Sequence, residues 1–206
     1  VIYTKKLTSS VYNKKLMVNH NVFIALLHYP ALDKHGKIVV TSFTTMDLHD
    51  IARPARAYEI NTYYIVQPVD GQRAVIKKQL DYWLSQEGFK TNPTRNEIVK
   101  MVKLVYTFDE VIEDIQNTRG EKPVLVGTDA RDYPNKVSYE FLREEIKKRE
   151  RDFLIAFGTG YGIPPDLMAT FDYILEPIYG AGDWNHLSVR NAVAIILDRL
   201  FSRNRC

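Results

Sequence analysis

Apolar positions along this chain follow two alternating rhythms. Short continuous runs read as strands buried on both faces: residues 21–29 (NVFIALLHY), 37–42, 61–68, 101–106, 123–127, 153–157 and 173–175. Between them the apolar residues recur at helical spacing. Ile76, Leu80, Trp83 and Leu84 share one face of a helix predicted over 75–88, with Gly88 just past its end. Phe108, Val111, Ile112 and Ile115 do the same over 107–120, and Ser138 caps a charged amphipathic helix running to residue 151. Val189, Ala192, Val193, Ile196, Leu197 and Leu200 define a last helix. Residues 47–58 also have helical character, with Asp47 as the N-cap and Pro54 as an irregularity or a helix start. NPTRN at 92–96 reads as a turn, 128–136 as a polar loop, and His49 as a helix-surface residue. Strands alternating with helices predict an α/β fold with a mostly parallel sheet flanked by helices. No linker or repeat divides it, so residues 19–206 form one predicted domain. Residues 1–18 are polar, carry Lys5, Lys6, Lys14 and Lys15, and read as a peripheral extension, either a leader or a native tail.

Composition narrows the class. The 206 residues are 45% hydrophobic and 26% charged, as in ordinary soluble proteins. No apolar run approaches the roughly 20 residues that span a bilayer, and the N-terminal residues lack the apolar core of a secretory signal. The one cysteine, Cys206, excludes an intramolecular disulfide and a cysteine-based metal site, which fits a cytoplasmic location; no metal is expected. A formal charge of +3 permits a polyanionic partner without requiring one.

The chemistry concentrates in the last third. A strand, a glycine loop and a helix occur twice in succession. The first loop is Gly158-Thr159-Gly160-Tyr161-Gly162, followed by Pro164 and Pro165, which suit the first turn of a short helix. The second loop runs from Glu176 to His186 with Gly180 and Gly182. Ligands of open α/β sheets bind at the carboxyl ends of strands, and glycine lets backbone approach them. A dinucleotide fingerprint is only half met: Gly158 and Gly160 fit, but Ile163 stands where the third glycine belongs. The Gly-Lys-Ser/Thr of a phosphate-binding loop is missing from both. Loops rich in main-chain amides and poor in cations suit an adenosyl or purine group better than a triphosphate; either loop alone is also compatible with a plain turn.

Three stretches together resemble the motifs of SPOUT-class (α/β-knot) RNA methyltransferases, including an uncharacterised bacterial branch of that class. Asp47 to Ala55, with Arg53 followed by Pro54-Ala55, is similar to the first motif, Phe157 to Ile163 to the second, and Pro177-Ile178-Tyr179-Gly180 through His186-Leu187-Ser188-Val189 and Ala192 to the third. The resemblance implies a C-terminal trefoil knot, S-adenosylmethionine as methyl donor, an RNA substrate (tRNA or rRNA) and a homodimer whose sites are completed across the interface. Carried over by position, Thr128, Gly158, Thr159, Gly160, Gly162 and Ile163 line the donor, and Leu175, Ile178, Gly180, Leu187 and Ser188 close over it. Arg53 reaches the acceptor nucleotide from the partner subunit, and His186 is the candidate base. Two features set the chain apart from the tRNA ribose methyltransferases: the second motif is one residue shorter and lacks their glutamate, and His186 stands in place of the third-motif asparagine. Base and ribose methylation both stay open, as do the RNA and the nucleotide.

Other residues carry weaker readings. Asp129 and Asp183 are alternative bases or partners for the donor's amine. Trp184 reads as interface packing, with base stacking as the alternative, and Arg56 as structural. Lys14, Lys15, Arg53, Arg56, Arg131, Lys136, Arg199, Arg203 and Arg205 are dispersed candidates for RNA contact. The rival to an enzyme is a non-catalytic S-adenosylmethionine- or nucleotide-binding module that docks to RNA or a ribosomal partner. A nucleotide-dependent oxidoreductase is a third reading.

Overall fold

A computed structural model describes residues 21–182 and 184–203. The eleven-residue strand β1 (Val22–Leu32) lies inside the sheet because both its faces are apolar: Val22, Ile24 and Leu26 point to one core, Phe23, Ala25 and Leu27 to the other. It pairs in parallel with β3 (Tyr63–Val66) and β7 (Phe153–Gly160), and in antiparallel fashion with the two-residue β2 (Ile38–Val39). With β4 (Val102–Val105), β5 (Val124–Thr128), β6 (Lys136–Val137) and β8 (Tyr173–Leu175), the order is β4-β3-β1-β7-β5-β8-β6. Every pair except β1–β2 is parallel, so the expected mostly parallel sheet flanked by helices is what the chain forms.

Helices cover both faces. On one lie α1 (Thr45–Ala57), α2 (Asp70–Leu84), α3 (Gln86–Thr91), α4 (Pro93–Val99), α6 (Tyr139–Lys148) and α8 (Val189–Phe201). Leu48, Ile51, Ile76, Ile98, Leu142, Val193 and Leu197 fill that core. Phe108, Val111 and Ile115 of α5 (Phe108–Arg119), with Met168 of α7 (Pro165–Met168) and Phe171, fill the other.

Local chemistry corrects several boundaries. Asp47 is not the N-cap of α1. Thr44 is: Asp47 N–H donates to Thr44 Oγ1 at 3.4 Å while the Asp47 carboxylate accepts from Thr44 N–H at 2.8 Å, a capping box that starts the helix two residues before Asp47. Pro54 lies within that helix, neither starting it nor breaking it. NPTRN is the start of α4, with Asn92 accepting from Arg95 N–H at 3.0 Å and Pro93 in the first turn. Asn-Pro serves a turn and a helix start equally well, and the apolar Ile98 and Val99 beyond it decide for the helix. Gly88 does not end α2; it lies in α3, where a Cβ would run into the Tyr82 carbonyl. The strand expected over 37–42 shrinks to two edge residues. His49 is no surface residue: it is 7% exposed, its ring 5.6 Å from Trp83, because α2 and α4 cover that side of α1. The glycine stretch from Gly158 begins as strand, β7 continuing to Gly160 through its pairing with β1. Residues 1–18, Asp183, Arg205 and Cys206 fall outside the described residues.

Candidate active site

Strands β7, β5 and β8 are neighbours, so the loops that follow them leave the same carboxyl edge of the sheet side by side. Side chains then tie the three loops together. Arg131, beyond β5, pairs with Asp129 and donates from Nη2 to the Ile163 carbonyl of the glycine loop at 3.0 Å. Tyr133 OH donates to the same Asp129 carboxylate at 3.4 Å. Asn185, in the loop before α8, donates from Nδ2 to the Ala130 carbonyl at 2.6 Å. The second and third sequence motifs and the β5 loop therefore meet.

The glycines make room for these contacts. A Cβ at Gly158 would lie 2.9 Å from Ile163 Cγ1, and Ile163 is fully buried against it. Gly162 has φ +100°, and a Cβ there would sit 3.1 Å from Asp129 Oδ2. Thr128 is buried and donates its hydroxyl to the Ala156 carbonyl at 2.8 Å. Leu175 is buried in the core, Ile178 packs against that core, and Gly180, Leu187 and Ser188 lie exposed at the rim. Ser188 caps α8 by accepting from Asn191 N–H. His186 is exposed, its ring 5.5 Å from that of Trp184, whose Nε1 donates to the His186 carbonyl at 3.1 Å. Trp184 is 75% exposed.

Thr159 faces inward. Its hydroxyl donates to the Leu27 carbonyl at 2.7 Å and meets Thr41 Oγ1 at 2.6 Å, which in turn lies 2.9 Å from His28 Nδ1. The Thr159 proton goes to Leu27 and the Thr41 proton to Thr159 or, at 3.5 Å, to the His28 carbonyl, an arrangement that a hydrogen on His28 Nδ1 donating to Thr41 completes. His28 is 1% exposed, and its Nε2 has no partner among the described residues. Burial pushes its pKa below 6.5, against the opposing pull of Asp47. His49 is lowered too, by burial first and then by the Arg95 and Arg53 charges, with Asp50 opposing. A depressed native pKa means that the unfolded imidazole takes up a proton before the native one does. Stability is therefore full above pH 6.5 and is lost as pH falls below it toward the native values. Urea denaturation across that window should show the decline. His28→Asn, which keeps an N–H near Nδ1 but does not titrate, should flatten it; an equally steep profile would rule out His28 as a source.

The loops depend on Asn185 for their tie to one another. Asn185→Ala should weaken binding of the site's ligand by up to about tenfold, the ~1.4 kcal/mol at the upper end for one half-buried amide–carbonyl bond, with the melting temperature little changed. Calorimetry checks this, and unchanged affinity would show that the tie does not shape the site.

Arg53 lies elsewhere. It is exposed on α1 at a cleft of about 470 Å³ that includes His49, Trp83 and Arg95 and none of the loop residues. Within one subunit, then, Arg53 lines a cleft apart from those loops, although its helix is joined to the third motif through the Arg190–Asp47 pair. Several RNA-contact candidates are engaged internally: Arg131 by Asp129, Lys136 by Asp132, Arg56 by Glu97 at 3.6 Å, and Arg199 by the Tyr179 carbonyl at 3.2 Å. The sequence reading missed the tying role of Asn185, the Thr41 hydroxyl, and Arg190, which bonds Asp47 Oδ1 at 3.0 Å. Arg190 was visible as the first cation after two loops without Lys or Arg.

These loops and this sheet place the chain among known proteins. Residues 21–202 match the model of a family described as SAM-dependent RNA methyltransferase, and the chain belongs to that family. An uncharacterized protein of Aquifex aeolicus is 78% identical over 191 residues, 93% of each chain. A tRNA (guanine-N(1)-)-methyltransferase of Oleidesulfovibrio alaskensis is 38% identical over 180 residues, 87% of this chain but 42% of that one, so the chain spans less than half of that relative. Among solved structures, a putative methylase family protein from Neisseria gonorrhoeae superposes with a TM-score of 0.59 at 16% identity, over 89% of this chain and 83% of that one; it shares the fold. Among the described residues no helix is long and apolar enough to cross a membrane.

S-adenosylmethionine, the family's methyl donor, suits the loops. Gly158 and Gly162 bring main chain against Ile163 and the Asp129–Arg131 pair, and that pair is neutral as a unit. This sheet edge thus offers main chain and apolar surface, with no net charge from that pair to repel a sulfonium.

Proposed function

We propose that the chain methylates a nucleotide of tRNA or rRNA, acting as a cytoplasmic homodimer. The observation that carries this reading is the tying of the β5, glycine and third-motif loops at one sheet edge through Arg131–Ile163 and Asn185–Ala130. Thr128, Gly158, Thr159, Gly160, Gly162 and Ile163 hold the donor, with Leu175, Ile178, Gly180, Leu187 and Ser188 closing over it. The hydroxyls of Thr128 and Thr159 are committed to strand carbonyls, so these two contribute main chain. The insertion of β8 between the earlier strands β5 and β6 supports a C-terminal trefoil knot.

When bound, the donor supplies an electrophilic methyl group on a sulfonium. The protein's task is to hold the acceptor in line with it and to remove a proton. His186, exposed at the rim, serves as the base. Arg53 serves from the partner subunit, its planar fork orienting the acceptor's phosphate or ribose. Support for the dimer is the separation of Arg53 from the loops within one subunit. The test is transfer of labelled methyl groups into unmodified total RNA, followed by nucleoside mapping, with the molar mass measured by light scattering. Donor binding without label in any RNA would favour the non-catalytic module.

A further inference from the structure

The cleft beside Arg53 has a chemistry of its own. Its walls come from α1, α2 and α4. Three buried polar atoms there have no partner among the described residues: His49 Nδ1, Gln79 Oε1 and Arg95 Nε. The Gln79 amide is oriented by its other end, Nε2 donating to Thr45 Oγ1 at 3.2 Å, which leaves the carbonyl oxygen unsatisfied. The Arg95 guanidinium lies 4.9 Å above the Trp83 ring, and neither Arg95 nor Arg53 has an ion-pair partner among the described residues. Burial first, and then both cations, hold the His49 pKa below its ordinary value, with Asp50 opposing. A buried polar atom left unpaired is costly, so three of them in one place mark a surface completed by something else.

The set is mixed: two unpaired guanidiniums, and a carbonyl oxygen that can only accept. An inorganic anion would use the first and leave the second unmet. A ribonucleotide meets both, because its phosphate accepts and its 2′-hydroxyl donates. The cleft also adjoins the methyl-transfer edge. Asp50, in its wall, lies 3.8 Å from Arg190 Nε, and Arg190 follows two residues after Ser188.

Resting on the RNA-methylation reading, we propose that this cleft is a second nucleotide subsite of the same RNA strand, next to the acceptor that Arg53 orients: Arg95 holds a backbone phosphate, and Gln79 Oε1 accepts the 2′-hydroxyl, so that the site distinguishes RNA from DNA.

The experiment compares fluorescence-anisotropy titrations of a labelled oligouridylate and the oligodeoxyuridylate of equal length. Wild type should bind the ribose form several-fold tighter. Gln79→Leu should lose that preference while its affinity for the deoxy form is unchanged. Arg95→Ala should weaken both, and flatten the dependence of log affinity on log salt by about 0.7, the share of one phosphate on a single strand. Circular dichroism and donor titration should match wild type in both variants. The proposal is overturned if wild type shows no ribose preference, if Gln79→Leu retains it, or if Arg95→Ala binds both with wild-type salt dependence. Methyl transfer by wild type is measured separately. Normal transfer with indifferent variants sinks the subsite alone, whereas absent transfer sinks the enzymatic reading and leaves the oligonucleotide comparison to judge the cleft.

Discussion

Arg53→Ala should lower methyl transfer into RNA by about 100-fold or more, the loss of one charge-stabilising group at a reacting centre, while the dissociation constant for S-adenosylmethionine stays within about twofold. Arg53 is exposed and makes no ion pair among the described residues, so its removal breaks no packing. It also lies apart from the three tied loops, so donor affinity has no reason to change. Arg53→Lys should recover little, since a point charge does not replace a planar fork. Arg56→Ala is the control: that side chain sits 3.6 Å from Glu97, both about half-exposed, and its loss should alter neither reading. Mixing Arg53→Ala with a second inactive variant lacking donor binding should restore part of the activity if the arginine works across the dimer. Full transfer by Arg53→Ala would remove the first motif from the mechanism.

How much of this was legible beforehand depended on whether the information was local. The strand runs announced themselves, because both faces of a parallel sheet are apolar and nothing else in the chain has that texture. The meeting of the glycine loops at one sheet edge was legible too, since glycine at a strand end has a local meaning. Asn92-Pro93 was misread because the same residues start a turn or a helix, and only the burial of Ile98 and Val99 chooses. That error hid more than a helix: with α4 missing, nothing covered α1, so His49 looked exposed and the cleft with Arg95 did not exist. Gln79, Trp83 and Arg95 lie on separate elements and carry no joint pattern. The tie between Asn185 and Ala130 likewise spans 55 positions and follows from the order of β5 and β8 in the sheet. Thr159 was read as a loop residue, but it lies in β7 and its half-buried hydroxyl turns to the Leu27 carbonyl of β1.

The second large effect falls on stability. Gly160→Ala should cost about 2–4 kcal/mol, a left-handed backbone penalty of about 1–2 plus local overpacking. Gly160 has φ +61°, and a Cβ there would lie 2.6 Å from the Leu32 carbonyl oxygen and 3.3 Å from Thr41 Cγ2. The carbonyl cannot swing away freely. It accepts from Tyr161 N–H at 2.9 Å, and Leu32 N–H donates to the Gly162 carbonyl at 3.0 Å, so β1 and the glycine loop are clasped in both directions. Gly36 separates the two causes: its φ is +77° with nothing within 4 Å of a Cβ, and Gly36→Ala should cost only the backbone part, about 1 kcal/mol. Urea midpoints of the two variants give the difference directly. Because Thr41 is both the second obstacle and the link from His28 to Thr159, displacement at Gly160 should also loosen the donor loop, and S-adenosylmethionine affinity should fall alongside stability. If Gly160→Ala proves no worse than Gly36→Ala, the clasp yields to a methyl group, and Gly160 is glycine for its backbone angle alone.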